Sequence, residues 1–360
     1  MRILFALAGL HRVDRGAEIA FMSVASQLAR QGDDVTLIGS GPQRPGREYR
    51  YIQAPSIRRE KFERWPSLPM FRNETAWEEA SFVPGLLRAY RPSDYDVTLT
   101  CAFPWTSWTL RRPVAGRRPK HVFVTQNGDW PAYSDSSEFR LFECDGLICT
   151  NPEYFERNRA RYRAALIPNG VDAARFKPGP PERARLGLPD KGPLVLMVSA
   201  LIASKNVDEA IRAVALLPEV TLVVAGDGPL RDETKALADN LIPGRYVRVS
   251  LPSDDMPALY RSADAFLHLS RDESFGNVFV EAMACGTPVV AYDLPRTRWI
   301  VGDGGYLVDG RNPEAIASEL MRAMVRNDDG SSLVERAQAF RWSSVATQYR
   351  DFLEQVVSAS

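Results

Sequence analysis

Residues 273–291 read ESFGNVFVEAMACGTPVVA. Two glutamates, Glu273 and Glu281, stand eight apart with Phe275, Gly276 and Asn277 between them, and a Gly-Thr-Pro break leads into an apolar run. The preceding AFLHLS at 265–270 reads as a buried strand, so Arg271 to Ser274 form the loop at its carboxyl end. A helix is expected from near Gly276 or Asn277 to Cys285, stopped by Gly286. Open parallel sheets bind ligands outside the carboxyl ends of their strands, which puts Glu273 on a functional rim. The helix start at 275–277 directs backbone N–H groups toward a phosphate or a sugar hydroxyl, and Gly276 lets the backbone come close. Glu281, one turn into the helix, is placed to accept two hydroxyl hydrogen bonds, as from a ribose diol. A bare pair of surface glutamates at a helix start would need no ligand, because negative charge is favoured there anyway.

The same rhythm extends outward in both directions. Toward the N-terminus, Arg2 to Ala8 reads as a strand, Ala17 to Arg30 as an amphipathic helix and Asp34 to Gly39 as a second strand, a β-α-β unit. Further strands are expected at 96–101, 121–125 and 146–150. A second series begins with LVLMVSA at 194–200. It runs through a helix over 207–217, TLVVAG at 221–226, a helix from Arg231, YVRVSL at 246–251, a helix over 256–263 and AFLHLS, and it ends with PVVAYD at 288–293. Two Rossmann-like halves therefore follow each other. They join near 166–181, where IPNGVD and three prolines mark a turn and a stiff link. Residues 41–95 break the rhythm with Pro, Arg and aromatic residues, and read as a long irregular segment of the kind that is often functional.

Length and composition agree with about two domains of a soluble enzyme: 360 residues, 45% hydrophobic and 25% charged. Lys+Arg and Asp+Glu both number 45, which gives no reason to expect a nucleic acid as partner. Basic residues cluster at 58–64 and 111–120; a solvated face explains them, and an anionic acceptor or lipid, hence at most peripheral membrane contact, is the sharper reading. The four cysteines, Cys101, Cys144, Cys149 and Cys285, have no metal spacing and fit reduced thiols in a cytoplasmic protein. The N-terminus reads as a first strand rather than a signal peptide, and no apolar run approaches the ~20 residues of a membrane span.

ESFGNVFVEAMACGTPVVA resembles the E-x7-E signature of the family-4-type retaining glycosyltransferases, which have the GT-B fold: two Rossmann-like domains facing each other across a cleft. IPNGVDAARFKP, LVLMVSALIASKNVDEAIRA, TLVVAGDGPLRDE, MPALYRSADAFLHLS, Gly16-Ala17-Glu18 and Phe340-Arg341-Trp342 resemble further segments of that family. The likeness is dense over 165–345 and thin over 40–140. It implies an acceptor-side domain over 1–170, with a C-terminal helix at 342–360 packing back on it, and a donor-binding domain over 171–341. It implies a nucleoside-diphosphate sugar, UDP- or GDP-linked, as donor substrate, no cofactor and no metal, and a sugar, lipid or small molecule as acceptor.

Residue by residue, the resemblance assigns Lys205 to the donor diphosphate and Glu273, with the N–H groups of Phe275, Gly276, Asn277 and Val278, to the transferred sugar and phosphate. Glu281 takes the ribose, the backbone near Leu251 reads the base, Gly226 and Gly228 form the turn beside it, and Gly16 brings backbone to the diphosphate. Retention is ascribed in this family to a front-side reaction in which the leaving phosphate helps deprotonate the acceptor. Catalysis is then mostly positioning and electrostatic support.

Two departures stand out. Ser199-Ala200-Leu201 stands where the family commonly has Gly-Arg-Leu, so a cation is missing at Ala200, with Arg271 or Arg15 as candidate replacements. VFVTQNGDWP offers Asn127 where the family often has a histidine; Asn127 can bond a sugar hydroxyl but cannot shuttle a proton. Asn127 and Asp129, with Trp130, are expected to line the acceptor site opposite Glu273, and His11 to touch a ligand there. His121 and His268 read as core histidines. A nucleotide-sugar epimerase on the same fold, or a non-catalytic nucleotide-sugar binder, are the competing readings.

Overall fold

The computed structural model describes residues 1–114, 116–136, 139–325 and 330–359. The chain divides into two units, Met1–Asn169 with Trp342–Ser360, and Gly170–Arg341.

The first unit runs β1 (Arg2–Ala6), α1 (Gly16–Arg30), β2 (Asp34–Gly39), β3 (Arg50–Gln53), α2 (Glu74–Ala89), β4 (Val97–Thr100), α3 (Trp105–Arg111), β5 (Lys120–Val124), α4 (Trp130–Tyr133), β6 (Gly146–Cys149), α5 (Pro152–Asn158) and β7 (Ala164–Leu166). Its seven strands are all parallel, in the order β3-β2-β1-β4-β5-β6-β7. A central parallel strand is buried on both faces, and β1 shows why its sequence is apolar after the exposed Arg2. Ile3 and Phe5 pack on one side with α1, whereas Leu4 and Ala6 pack on the other with Phe82 and Leu86 of α2.

The second unit runs β8 (Leu194–Val198), α6 (Val207–Ala215), β9 (Thr221–Ala225), α7 (Arg231–Leu241), β10 (Tyr246–Val249), α8 (Met256–Arg261), β11 (Ala265–His268), α9 (Asn277–Ala284), β12 (Val289–Tyr292), α10 (Pro295–Val301), β13 (Tyr306–Val308), α11 (Pro313–Met324) and α12 (Ser331–Gln338). Its order is β10-β9-β8-β11-β12-β13, again all parallel. Leu194 and Leu196 face one core layer, and Val195 and Met197 the other. In each sheet the order reverses beside the first strand, between β1 and β4 and between β8 and β11. A doubly wound sheet opens a crevice at such a point.

The last helix, α13 (Trp342–Ser358), belongs to the first unit. Trp342, Val345, Tyr349 and Leu353 join the core on the α1 side, and Arg350 bonds Asp33 Oδ2 at 2.7 Å and the Gln31 carbonyl at 2.7 Å.

Three sequence expectations are corrected. Residues 41–95 are not irregular throughout. They hold edge strand β3 and the sixteen-residue α2, whose N-cap Asn73 accepts a bond from Ala76 N at 3.1 Å. The short β7 extends the first sheet. The second series does not end with β12 but adds α10, β13, α11 and α12. The short strands were masked by half-exposed residues, which carry little periodic signal.

Candidate active site

The loops after β8 and β11 meet at the reversal point of the second sheet. Lys205 ends a short 3-10 turn at Ala203–Lys205 and reaches across to ion-pair with Glu273; Lys205 Nζ also lies 3.4 Å from Ser270 Oγ. His268, the last residue of β11, is 3% exposed and places Nε2 3.1 Å from Glu273 Oε1. Burial would raise the Glu273 carboxyl, but the His268 hydrogen bond and the Lys205 charge more than offset it and hold it at about 2. The loop is fixed from below by Arg296 of α10, which donates to the Glu273 carbonyl at 2.8 Å.

Asn206 sets the position of Lys205. It adopts the left-handed conformation at φ +52°, and its Nδ2 donates to the Leu269 carbonyl at 2.6 Å, tying one loop to the other. Asparagine tolerates that conformation better than most residues. Gly276, the N-cap of α9, has φ +95°, and a Cβ there would lie 2.7 Å from the Phe279 ring. The N-terminus of α9 lies just beyond Glu273, with Gly276 as its cap, and the positive end of a helix dipole favours an anion there.

Glu281 is partly buried in α9 and accepts a 2.8 Å bond from Tyr260 Oη; burial raises its carboxyl against that bond. Gly226 and Gly228 are more than turn residues. A Cβ at Gly226 would lie 2.0 Å from the Ser199 carbonyl oxygen, and one at Gly228 2.4 Å from that of Leu201, so both glycines let the β9–α7 loop press on the loop that carries Lys205. Leu251 follows β10 and packs, partly buried, on the core layer that holds Phe279 and Val280. Val278 packs there too. Ala200 is exposed. Arg271, one candidate for the missing cation, holds its guanidinium 4.8 Å over the Tyr292 ring.

The first unit has a cavity of about 610 Å³ at the carboxyl ends of β1, β4 and β5. Gly16, Arg15, Asn127 and Trp130 line it. Asn127 Nδ2 lies 3.6 Å from Cys101 Sγ, and Trp130 Nε1 donates to the Asn127 carbonyl at 3.2 Å. Glu18, in the first turn of α1, and Glu79 of α2 line it as well, and sequence reading missed both. Gly9 makes room for Glu18, since a Cβ there would lie 1.9 Å from Glu18 Oε1.

Two expected ligand contacts fall elsewhere. Asp129 is 2% exposed and turns inward, accepting 2.7 Å from Asn158 Nδ2 and 3.1 Å from Arg157 Nη1; it ties its loop to α5 and does not line the cavity. His11 is 3% exposed, stacked on Tyr51 with ring centroids 3.8 Å apart, and its Nε2 sits 2.8 Å from Tyr49 Oη. Burial pushes its imidazole down to about 4, and it too lies off the cavity lining. His121 is the core histidine expected, held between Thr98 Oγ1 at 2.9 Å and Ser107 Oγ at 3.2 Å. His268 is buried as expected, and in addition its Nε2 reaches Glu273.

Residues 180–340 match the model of the glycosyl transferases group 1, and residues 15–175 that of Glycosyltransferase Family 4. The chain is 31% identical to D-inositol 3-phosphate glycosyltransferase 1 of Catenulispora acidiphila over 76% of each protein. This chain is a family 4 glycosyltransferase. Its two parallel-sheet α/β units are those of the GT-B fold. Sucrose-phosphate synthase from Thermosynechococcus elongatus superposes with a TM-score of 0.78 at 23% identity, over 99% of both chains. Anabaena HepE, solved with UDP-glucose, gives 0.70 at 20% identity, over 98% of this glycosyltransferase and 99% of HepE. No helix among the described residues is long and apolar enough to cross a membrane.

Proposed function

We propose that this glycosyltransferase moves a sugar from a nucleoside-diphosphate donor, UDP- or GDP-linked, to an acceptor hydroxyl with retention of configuration. The observation that carries the reading is the Lys205–Glu273–His268 cluster at the reversal point of the second sheet, with Glu273 just ahead of the α9 N-terminus.

Each group has a task. Lys205 and the α9 amides meet the negative charge that grows on the leaving diphosphate. His268 and Lys205 keep Glu273 ionised, so that it accepts hydrogen bonds from hydroxyls of the transferred sugar. Glu281 holds the ribose, with Tyr260 fixing the orientation of its carboxylate. With Lys205 in place, the reaction is expected to need no metal and to survive chelation. The acceptor occupies the cavity of the first unit, where Asn127 and Trp130 lie. HepE, which binds UDP-glucose, makes a UDP-sugar the first donor to try.

A thermal-shift screen with UDP, GDP, ADP and TDP tests the donor base, since the matching nucleotide stabilises the fold by mass action. NMR of the sugar released from the matching donor then reads the anomeric outcome. Inverted product, or no nucleotide-dependent shift and no hydrolysis of any nucleotide sugar, overturns the reading.

A further inference from the structure

Three glutamates line the cavity of the first unit: Glu18, Glu78 and Glu79. Two have a cation. Glu78 is ion-paired with Arg12, and Glu18 lies 3.9 Å from Arg15 Nε. Glu79 is 6% exposed, and its Oε2 has no hydrogen-bond partner among the described residues. A buried, unsatisfied carboxyl costs folding free energy, so a natural fold keeps one chiefly where function uses it.

We propose that Glu79 is an acceptor-binding residue whose carboxyl takes a hydroxyl pair of a ring polyol, a sugar or a cyclitol. This rests on the reading of the chain as a transferase with its acceptor in this cavity.

The chemistry of the neighbours narrows the ligand. Burial, and then the charge of Glu78, raise the Glu79 carboxyl well above its usual range, which favours the neutral acid. A neutral carboxyl offers one O–H donor and one carbonyl acceptor, which matches two adjacent hydroxyls. It does not match a cation, which would need the ionised form. The cavity is also lined by Phe103, Phe123, Trp130 and Phe139. Aromatic faces cover the C–H face of a sugar or cyclitol ring. Arg15, Arg59 and Arg72 line it too, so the ring is either free or phosphorylated.

The test uses the full chain, four probes and two variants. Wild-type protein is melted with myo-inositol, D-inositol 3-phosphate, glucose and fructose 6-phosphate at up to tens of millimolar. At least one is expected to raise the Tm, and comparing free with phosphorylated rings tells which form is taken. Glu79→Met, near in shape but without hydrogen-bonding groups, should lose that rise. Its Tm without probe should climb by ~2–4 °C, because an unpartnered carboxyl has left the interior. Glu79→Gln, which still donates and accepts, should keep the rise with an affinity within about tenfold of wild type.

A Glu79→Met protein that melts lower, or does not fold, assigns the carboxyl to the fold and overturns the proposal. So does a wild type that none of the four probes shifts, or a Glu79→Met protein that they shift as much as wild type. Hydrolysis of nucleotide sugars by wild type is scored separately. Hydrolysis without any polyol shift sinks this proposal alone. A Glu79-dependent polyol shift without hydrolysis upholds the polyol site and sinks the transferase reading.

Discussion

Lys205 and Glu273, 68 residues apart in the chain, form an ion pair at the carboxyl ends of the adjacent parallel strands β8 and β11. The pair sits where the strand order reverses, and each partner is held by a further residue, Asn206 for the lysine and His268 for the glutamate. In the proposed reaction Lys205 carries the leaving-group charge, and with Ala200 in place of the family's arginine it has less help from its own loop. Lys205→Ala should therefore lower kcat by a factor on the order of 10² to 10³. Ala200→Arg in that background should recover part of the loss. Steady-state kinetics on the matching donor checks both; near-normal turnover in Lys205→Ala would point to another clamp on the diphosphate.

The Glu273 carboxyl gives a stability signature. Its pKa falls from an ordinary 4.5 to about 2 on folding. A lowered carboxylate pKa stabilises the fold above the unfolded value, and that contribution disappears as pH falls through the folded one. The contribution is at most ~3 kcal/mol. Denaturant melts of wild type should lose stability between about pH 4.5 and 2 more steeply than those of Glu273→Gln. Parallel pH profiles would show that the pair does not hold Glu273 ionised.

Glu281 tests the nucleotide end of the site. Glu281→Ala should weaken binding of the free nucleoside diphosphate by ~1.5–3 kcal/mol, the worth of a charged hydrogen bond. Tyr260→Phe, which removes only the bond that orients the carboxylate, should cost less. Calorimetry on folded variants reads both, and an unchanged Glu281→Ala affinity takes the ribose role away.

Asn127 and Asp129 should now separate, although they are two residues apart. Asn127 faces the cavity, so Asn127→Ala should lower the ratio of transfer to hydrolysis. Asp129 bonds Arg157 and Asn158 in the interior, so Asp129→Ala should cost roughly 2–4 kcal/mol of stability through the broken buried network. Denaturant melts and product ratios distinguish them. A stable Asp129→Ala protein with a lowered transfer ratio would restore Asp129 to the acceptor site.

His268 Nε2 lies 3.1 Å from Glu273 Oε1, and in the proposed reaction it acts through that carboxylate. His268→Ala should reduce kcat more than it changes nucleotide affinity, and His268→Gln, which keeps an N–H near Glu273, should recover part of the activity. Equal losses in the two variants would mean that His268 matters only for packing.

The alternation of strand and helix was legible because parallel strands buried on both faces are apolar along their buried length, as β1 from Ile3 to Ala6 and β8 are. The loop carrying Glu273 was legible because a strand end is a local feature, whereas the donor roles of Lys205 and Glu281 came from the family resemblance and stand as proposals. Only the tertiary structure decided what each loop side chain meets. Asp129 and Asn127 lie on one turn, yet one is captured by α5 and the other faces the cavity, because the direction of a side chain in a loop depends on which helix packs beside it. His268 looked like any core histidine until β11 was set next to β8. Glu79 is hidden in a helix whose existence the sequence barely signalled. Its position at the cavity depends on α2 covering one face of the first sheet, an arrangement fixed by contacts among residues far apart in the chain and not by any pattern within them.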